Sequence, residues 1–294
     1  MVVQAATIAA MTFRHPITLC LPDEEKSCFA CCPPIRPAGY EHLTYRNTVR
    51  RFLRENTDRF DREERQVRPI TGFSCWALGY LDPGCRLIGC LLHPAMNKEE
   101  DLRYRVDYWD KCGRETCQEA KAFSCLGDRE RGFWIHLADG LDSFTYSSRK
   151  LNPLFSLLGW GAPLLSLIAA AEGERVPARD SFFREYPFFT TTISPRAGAY
   201  LIKALVAREG TERLRNPRFR GVFERLFKHI SGSHAAAAIN GTQGLPVHRM
   251  DLDRDFLDFL RLGLRISRMR PLEAVALKGR VDEFVKNFRI GGPG

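Results

Sequence analysis

All ten cysteines of this chain lie between Cys20 and Cys125, and residues 126–294 contain none. Such a split divides the chain into two chemistries. The later residues can form a core without covalent staples, so the thiols of the first part serve another purpose. Disulfides are disfavoured, because neighbouring Cys31 and Cys32 can rarely both meet bridge geometry with partners nearby. The opening stretch MVVQAATIAAM lacks the charged start and long apolar run of a signal peptide. The expectation is therefore a reducing, cytoplasmic location, where clustered thiols mean metal.

The cysteines fall into three groups. Cys28-Phe-Ala-Cys31-Cys32 comes first and is followed by two prolines. Cys75, Cys85 and Cys90 sit in GFSCWALGYLDPGCRLIGCLLHP, and Cys112, Cys117 and Cys125 follow. A C-x2-C turn brings two sulfurs to one centre and turns backbone N–H groups toward them. Gly72, Gly84, Gly89 and Gly113 stand beside the later cysteines and are expected to let backbone approach a cluster. The expected ligands are Cys28, Cys31, Cys32, Cys75, Cys85, Cys90, Cys112, Cys117 and Cys125. Cys20 is set aside as a buried apolar residue, a common fate for a thiol without a ligand role.

Structural zinc favours two C-x2-C knuckles per ion. Here there is one such pair, and the later spacings of 9, 4, 4 and 7 intervening residues are irregular. An iron–sulfur cluster of the [4Fe–4S] type accepts thiolates from scattered loops, often with a proline close to one of them. That cluster is the expected cofactor, with zinc as the alternative, and the number of centres stays open between one and two.

These residues resemble the CxxCxxCC-type zinc- or iron-chelating family, whose relatives include flagellin lysine N-methylase-like proteins. Cys28, Cys31 and Cys32 match the last three places of the opening motif, and Glu25 stands in the first. Cys75, Cys85-Arg86 and Cys90-Leu-Leu-His-Pro94 look like a variant of the downstream pattern. The resemblance covers about residues 25–125. It implies a cluster- or zinc-binding domain, and an activity on lysine side chains of a partner protein.

The remainder of the sequence predicts a mainly α protein, with a cysteine-rich, loop-dominated metal-binding half (1–150) packed against an α-helical half (151–294). Irregular chain is expected over 1–27, with a short strand at Ile17–Leu21, and a loop over Cys28–Pro37. A helix over 41–60 carries Leu43, Val49, Phe52 and Leu53 on one side. Asn97 followed by Glu100 reads as a capping box opening a helix over 98–109. A second helix, over 114–123, carries Cys117. The aromatic stretch 132–146 reads as strand. Later helices are expected at 162–172, 195–208, 217–230, 253–267 and 271–288, with breaks at Gly173–Pro177, Gly210 and the polar loop Ser231–Pro246.

Leu151–Ala171 is uncharged and long enough to span a bilayer, but Pro153, Gly159, Gly161 and Pro163 interrupt it. It reads instead as two pieces, with a turn near Trp160–Pro163 and a buried helix after it. A membrane partner is thus not expected. The formal net charge of +9 favours acidic partners. Its scatter gives nucleic acid only weak support beside a protein partner or substrate. Arg208, Arg213, Arg215, Arg218, Arg220, Arg225 and Lys228 form a basic stretch that reads as a solvated face.

Among the histidines, His93 is a ligand candidate beside Cys90, although a loop role is the simpler reading. His136, Asp139 and Asp142 are candidates for an acid–base pair, and His229, His234 and His248 surround a Ser-Gly-Ser turn. Tyr186-Pro-Phe-Phe, with Phe182 and Phe183, reads as core. Neither G-x-S-x-G nor H-E-x-x-H occurs, and neither does a P-loop or a G-x-G-x-x-G fingerprint. The radical-SAM C-x3-C-x2-C pattern is also missing. No catalytic residue is assigned. Three roles fit a cysteine-ligated cluster: a cluster-dependent protein-modifying enzyme, a non-catalytic zinc-stabilised macromolecule-binding protein, and an iron–sulfur electron carrier or redox sensor.

Overall fold

Apolar residues at helical spacing draw residues after Tyr45 into the first helix of the computed structural model, which describes residues 17–32, 40–71, 74–114, 116–239 and 244–288. The chain divides into two units, residues 1–155 and 156–294. Most of the regular structure in the described residues is helical.

In the first unit, α1 (Arg46–Asp58) buries Val49 and Leu53, one turn apart. Phe52 is only half-buried, and residues 41–45 form turns before the helix. The helix packs on an antiparallel hairpin of β1 (Leu78–Tyr80) and β2 (Ile88–Cys90), with Leu78 opposite Cys90. Thr57 Oγ1 accepts from the Tyr80 amide at 2.8 Å, and Asn56 Nδ2 donates to the carbonyls of Cys75 and Leu78. Leu53, Leu78, Ile88, Leu92, Leu102, Val106 and Phe144 build the core around this contact.

Short helices follow: α2 (Trp109–Arg114), α3 (Gln118–Ser124), α4 (Asp128–His136) and α5 (Ser143–Tyr146). The expected helix over 98–109 does not form. Asn97 is buried, and its Nδ2 donates back to the carbonyls of Leu91 and His93. Lys98 and Glu99 then take left-handed backbone (φ 53° and 68°), which stops a helix at its first turn. The aromatic stretch is helical rather than a strand. Glu130 accepts from the Gly127 amide at 2.8 Å and starts α4 there, burying Phe133, Trp134 and Ile135. Ile17–Leu21 is bent rather than extended, and Thr18 Oγ1 accepts from the Leu21 amide at 3.0 Å.

α6 (Pro153–Leu158) crosses the division between the units. It and α7 (Ala162–Glu172) are the two pieces of the long uncharged segment, separated at Gly161, whose φ of 93° suits glycine. Among the described residues, no helix is long and apolar enough to cross a membrane.

The second unit continues with α8 (Arg179–Glu185), α9 (Pro195–Glu209), α10 (Pro217–Ile239), α11 (Arg254–Asp258) and α12 (Pro271–Asn287). A small antiparallel pair joins β3 (Leu245–Pro246) to β4 (Arg268–Met269). α10 runs on through Ser231, so the expected polar loop begins later than its composition implies. After α11 a single π-turn carries Phe259–Gly263, and Arg265 at φ 59° ends the helical path short of residue 267. Trp160, Phe182, Tyr186, Phe188, Phe219 and Phe223 are buried in the aromatic core of this unit, while Phe183 is half-buried. Glu172 and Tyr186 are buried and bonded to each other, the half-buried Arg215 donates to the same Glu172 oxygen, and Arg175 reaches the other oxygen at 3.0 Å.

Candidate metal centre

A short stretch, residues 17–32, presents four of the cysteines, and buried serines fasten it. The Ser27 amide donates to Ser143 Oγ at 3.0 Å, and Ser27 Oγ donates to the Ile88 carbonyl at 2.8 Å. The Phe29 amide donates to Ser147 Oγ at 2.9 Å, and Tyr146 OH donates to the Leu19 carbonyl at 2.9 Å. Phe29 packs edge-on to Phe144 with ring centres 5.4 Å apart. The loop is thus pinned to β2 and to the segment 143–147. Buried hydroxyls are satisfied here, as burial requires.

Within that frame the Cys28 amide donates to the Cys20 carbonyl at 2.8 Å. The Ala30 amide points at Cys28 Sγ (3.5 Å), as the C-x2-C turn predicts. The Cys32 amide closes a tight turn on the Phe29 carbonyl at 2.9 Å. Beyond it, Cys32 and Cys90 pack against the core that contains Cys75. Cys112 lies on α2, and Arg103 Nη1 donates to its carbonyl at 2.9 Å. Cys117 caps α3, its sulfur accepting from the Ala120 amide at 3.3 Å. None of the ten cysteines is in a disulfide.

The electrostatics follow from this crowding. Burial pushes the Cys28 thiol up, the Ala30 amide pulls it back, and the charges of Cys20, Cys31 and Cys117 raise it further. Cys20 is exposed as a residue, yet enough protein surrounds its sulfur to push it up to about 12, with Cys31 and Cys117 adding to the burial. Burial also raises Cys117, opposed by the Ala120 amide and by Arg149. A hydrogen bond with Cys31 and then burial push the Cys32 thiol well up, with Cys90 and Cys75 adding repulsion. Burial lifts Cys75 to about 11 and Cys90 to about 12, and both also feel Cys112. Arg103 opposes the rise at Cys90. Each thiol thus resists ionisation on its own but stands beside others that a bound cation would relieve.

Among the described residues, no three His, Cys, Asp or Glu side chains surround a point closely enough to hold a single metal ion as they stand. Cys85 occupies the hairpin tip between β1 and β2, exposed and in left-handed backbone with φ 55°. Cys125 is exposed at the C-terminal end of α3. Glu25 is exposed, and Arg86 Nη1 donates to its Oε1 at 3.2 Å.

Other candidates separate. His93 caps the short turn Pro94–Met96, its Nδ1 accepting from the Ala95 amide. His136 pairs with Asp139 at 2.6 Å, whereas Asp142 caps α5 and pairs with Arg46, so the three do not form one acid–base group. His229 stacks on Phe284 with ring centres 5.0 Å apart, His248 lies on a short turn at Val247–Arg249, and the side chain of His234 lies outside the described residues.

The basic stretch is not one solvated face. Arg208 donates to the carbonyls of Val285, Lys286 and Phe288 at the end of α12, and Arg215 reaches Glu172. Gly84 and Gly89 sit where the hairpin leaves no room for a Cβ. A Cβ on Gly89 would meet Leu81 at 2.7 Å, and one on Gly84 would meet Asp82 at 2.9 Å. Gly113 lies within α2, and Gly72 is outside the described residues.

Sequence spacing did not single out Cys20, Arg103 or Arg149. The first has no partner at motif spacing, and nothing local marks either arginine among so many. Comparison with protein-family models, with curated proteins and with solved structures finds no match to this chain.

Proposed function

We propose that the N-terminal unit is a cysteine-ligated metal-cluster domain carrying an iron–sulfur cluster of the [4Fe–4S] type. The observation that carries this reading is the gathering of thiols from residues 20–32, 75–90 and 112–117, each within electrostatic reach of others and none in a disulfide. Backbone amides at Ala30, Ala77, Leu78, Leu92 and Ala120 favour the ionised sulfurs that a cluster needs.

Spacing favours iron–sulfur over zinc. A tetrahedral zinc with Zn–S bonds of about 2.3 Å holds its sulfurs roughly 3.8 Å apart. A cubane bonds each thiolate to a different iron, which suits thiols that are neighbours without converging on one point. A reducing cytoplasm is the compartment that keeps such thiols available.

Of the roles such a cluster takes, exposure of Cys20 and Cys31 favours an electron carrier or redox sensor, because electrons exchange where a cluster approaches the surface. Anaerobic purification followed by visible spectroscopy and iron, sulfide and zinc analysis tests the reading. Iron and acid-labile sulfide in equal amounts, with a broad visible band that bleaches on reduction, are expected. A colourless protein with stoichiometric zinc overturns the iron–sulfur assignment, and a protein holding neither metal overturns the metal centre itself.

A further inference from the structure

α1 carries positive charge that its own unit leaves uncompensated. Arg50, Arg51 and Arg54 are exposed on it, and with Asn47, Glu55 and Asp58 they line one groove of about 360 Å³. Arg50 and Arg54 stand four residues apart, so they share one side of the helix. Arg51 reaches Glu55 at 3.8 Å, and Arg46 is held by Asp142. Arg50 and Arg54 pair with no carboxylate among the described residues. By contrast Arg65, Arg68, Arg86, Arg103, Arg131 and Arg149 of the same unit each do.

Folding alone does not account for this stripe. Like charges one turn apart on a helix repel, and arginines in its N-terminal half oppose the macrodipole. No acidic residue stands in the first turn of α1 to offset them. The stripe therefore weakens the helix that carries it, and an opposing surface of carboxylates removes that strain. Its place in the fold also links it to the cysteine loop. Arg46 and Arg50 lie over the Phe144 ring, 4.9 and 5.6 Å from its centre. Phe144 meets Phe29 with 5.4 Å between ring centres, and Phe29 lies between Cys28 and Cys31 in the chain.

Charge selects the kind of partner. A single nucleic-acid strand calls for a positive groove along its backbone and aromatic side chains on which bases stack. This groove is lined by no aromatic residue, and Glu55 and Asp58 interrupt its positive charge. A folded acidic protein can set carboxylates opposite Arg50 and Arg54 and keep them clear of Asp58.

We propose that the Arg50–Arg54 face of α1 is the docking surface for an acidic one-electron carrier protein that exchanges electrons with the proposed cluster. One electron moves, the carrier being oxidised as the cluster is reduced, or the reverse. The exchange rests on the metal-cluster reading above, and the docking itself does not.

The test uses the full chain and a plant-type [2Fe–2S] ferredoxin with an acidic surface, labelled for fluorescence anisotropy. Binding at low ionic strength is expected to weaken steeply with added salt. Arg50→Glu/Arg54→Glu is expected to lose at least about tenfold in affinity. Arg54→Glu alone, at a side chain with no hydrogen bond or ion pair among the described residues, is expected to lose about threefold with its far-ultraviolet circular dichroism unchanged. Arg59→Glu/Arg129→Glu makes the same change in net charge at exposed residues outside the groove, and is expected to alter affinity by less than about twofold. In the chain loaded with iron and sulfide, the rate of reduction by pre-reduced ferredoxin is expected to fall about tenfold in Arg50→Glu/Arg54→Glu.

No binding by the wild-type chain, or equal weakening in the two double variants, overturns the docking surface. A single-stranded DNA oligonucleotide that binds more tightly than ferredoxin, and is released by Arg50→Glu/Arg54→Glu, overturns the protein partner. An unchanged reduction rate in the loaded variant overturns this face as the route of electrons. A chain that holds no metal, yet binds ferredoxin through Arg50 and Arg54, overturns the metal-cluster reading and the exchange while upholding the docking surface.

Discussion

Arg103 lies beside Cys112, donating from Nη1 to its carbonyl at 2.9 Å, and Asp101 fixes the other side of the same guanidinium. The arginine is therefore held within electrostatic reach of the thiols of Cys90 and Cys112. Replacing it with Gln removes a charge that favours the Cys90 thiolate. In metal-stripped protein, Arg103→Gln is expected to raise the Cys90 thiol further and to slow its alkylation at alkaline pH severalfold. Mass spectrometry of timed iodoacetamide reactions at Cys90 checks this. An unchanged rate removes Arg103 from the electrostatics of the site.

Ser27 is the hub that joins the cysteine loop to β2 and to α5. Removing one partner from a buried hydrogen-bonded set costs about 1–3 kcal/mol. Ser27→Ala is expected to fall in that range by denaturant unfolding and to lower metal retention. Ser233→Ala, on an exposed hydroxyl of α10, is expected to change neither.

Glu172 belongs to the second unit and holds Tyr186, Arg175 and Arg215 together from a buried position. Its removal leaves Arg175 and Arg215 to water but orphans the buried Tyr186 hydroxyl as a donor, a loss of about 1–3 kcal/mol. Glu172→Ala is expected to lose that much stability in the second unit. Iron content of the chain at low temperature is expected to stay at the wild-type level, measured on the same preparation.

Tyr200 supplies a pH dependence. Burial, and then its hydrogen bond to Asp282, push its phenol from 10.0 up to about 12. A raised folded value contributes stability that is complete below the unfolded value and is lost as pH climbs through the folded one. The wild-type chain is thus expected to lose stability between about pH 10 and 12. Tyr200→Phe is expected to be less stable at neutral pH and to show a shallower alkaline decline, read from denaturation midpoints across that window.

The helices of the second unit were legible because their apolar spacing is long and regular, as in α7, α9 and α12. Misreadings came where a side chain bonded against the local signal. Asn97 has the composition of a cap but turns its amide backward, and Glu130 starts a helix in residues whose aromatic content suggests strand. Motif spacing brought out the Cys28–Cys31 turn with the Ala30 amide at its sulfur. It could not show that Cys20 lies next to Cys28, because that neighbourhood is made by one backbone bond across a bent segment. Nor could it find Arg103 and Arg149, whose meaning lies in tertiary position alone.

The serine clasp also sets an order of events in the cell. Ser27 and Phe29 are held by Ser143 and Ser147, more than a hundred residues further along the chain. While the polypeptide is being made, the first cysteines leave the ribosome well before their clasp exists. During that interval they are unprotected nucleophiles, open to oxidation and to stray metals. A cluster of the kind proposed would be held in this clasp only after its last residue has emerged. A cell that makes this protein quickly in air would be expected to accumulate it misloaded, and one that makes it slowly without oxygen would not.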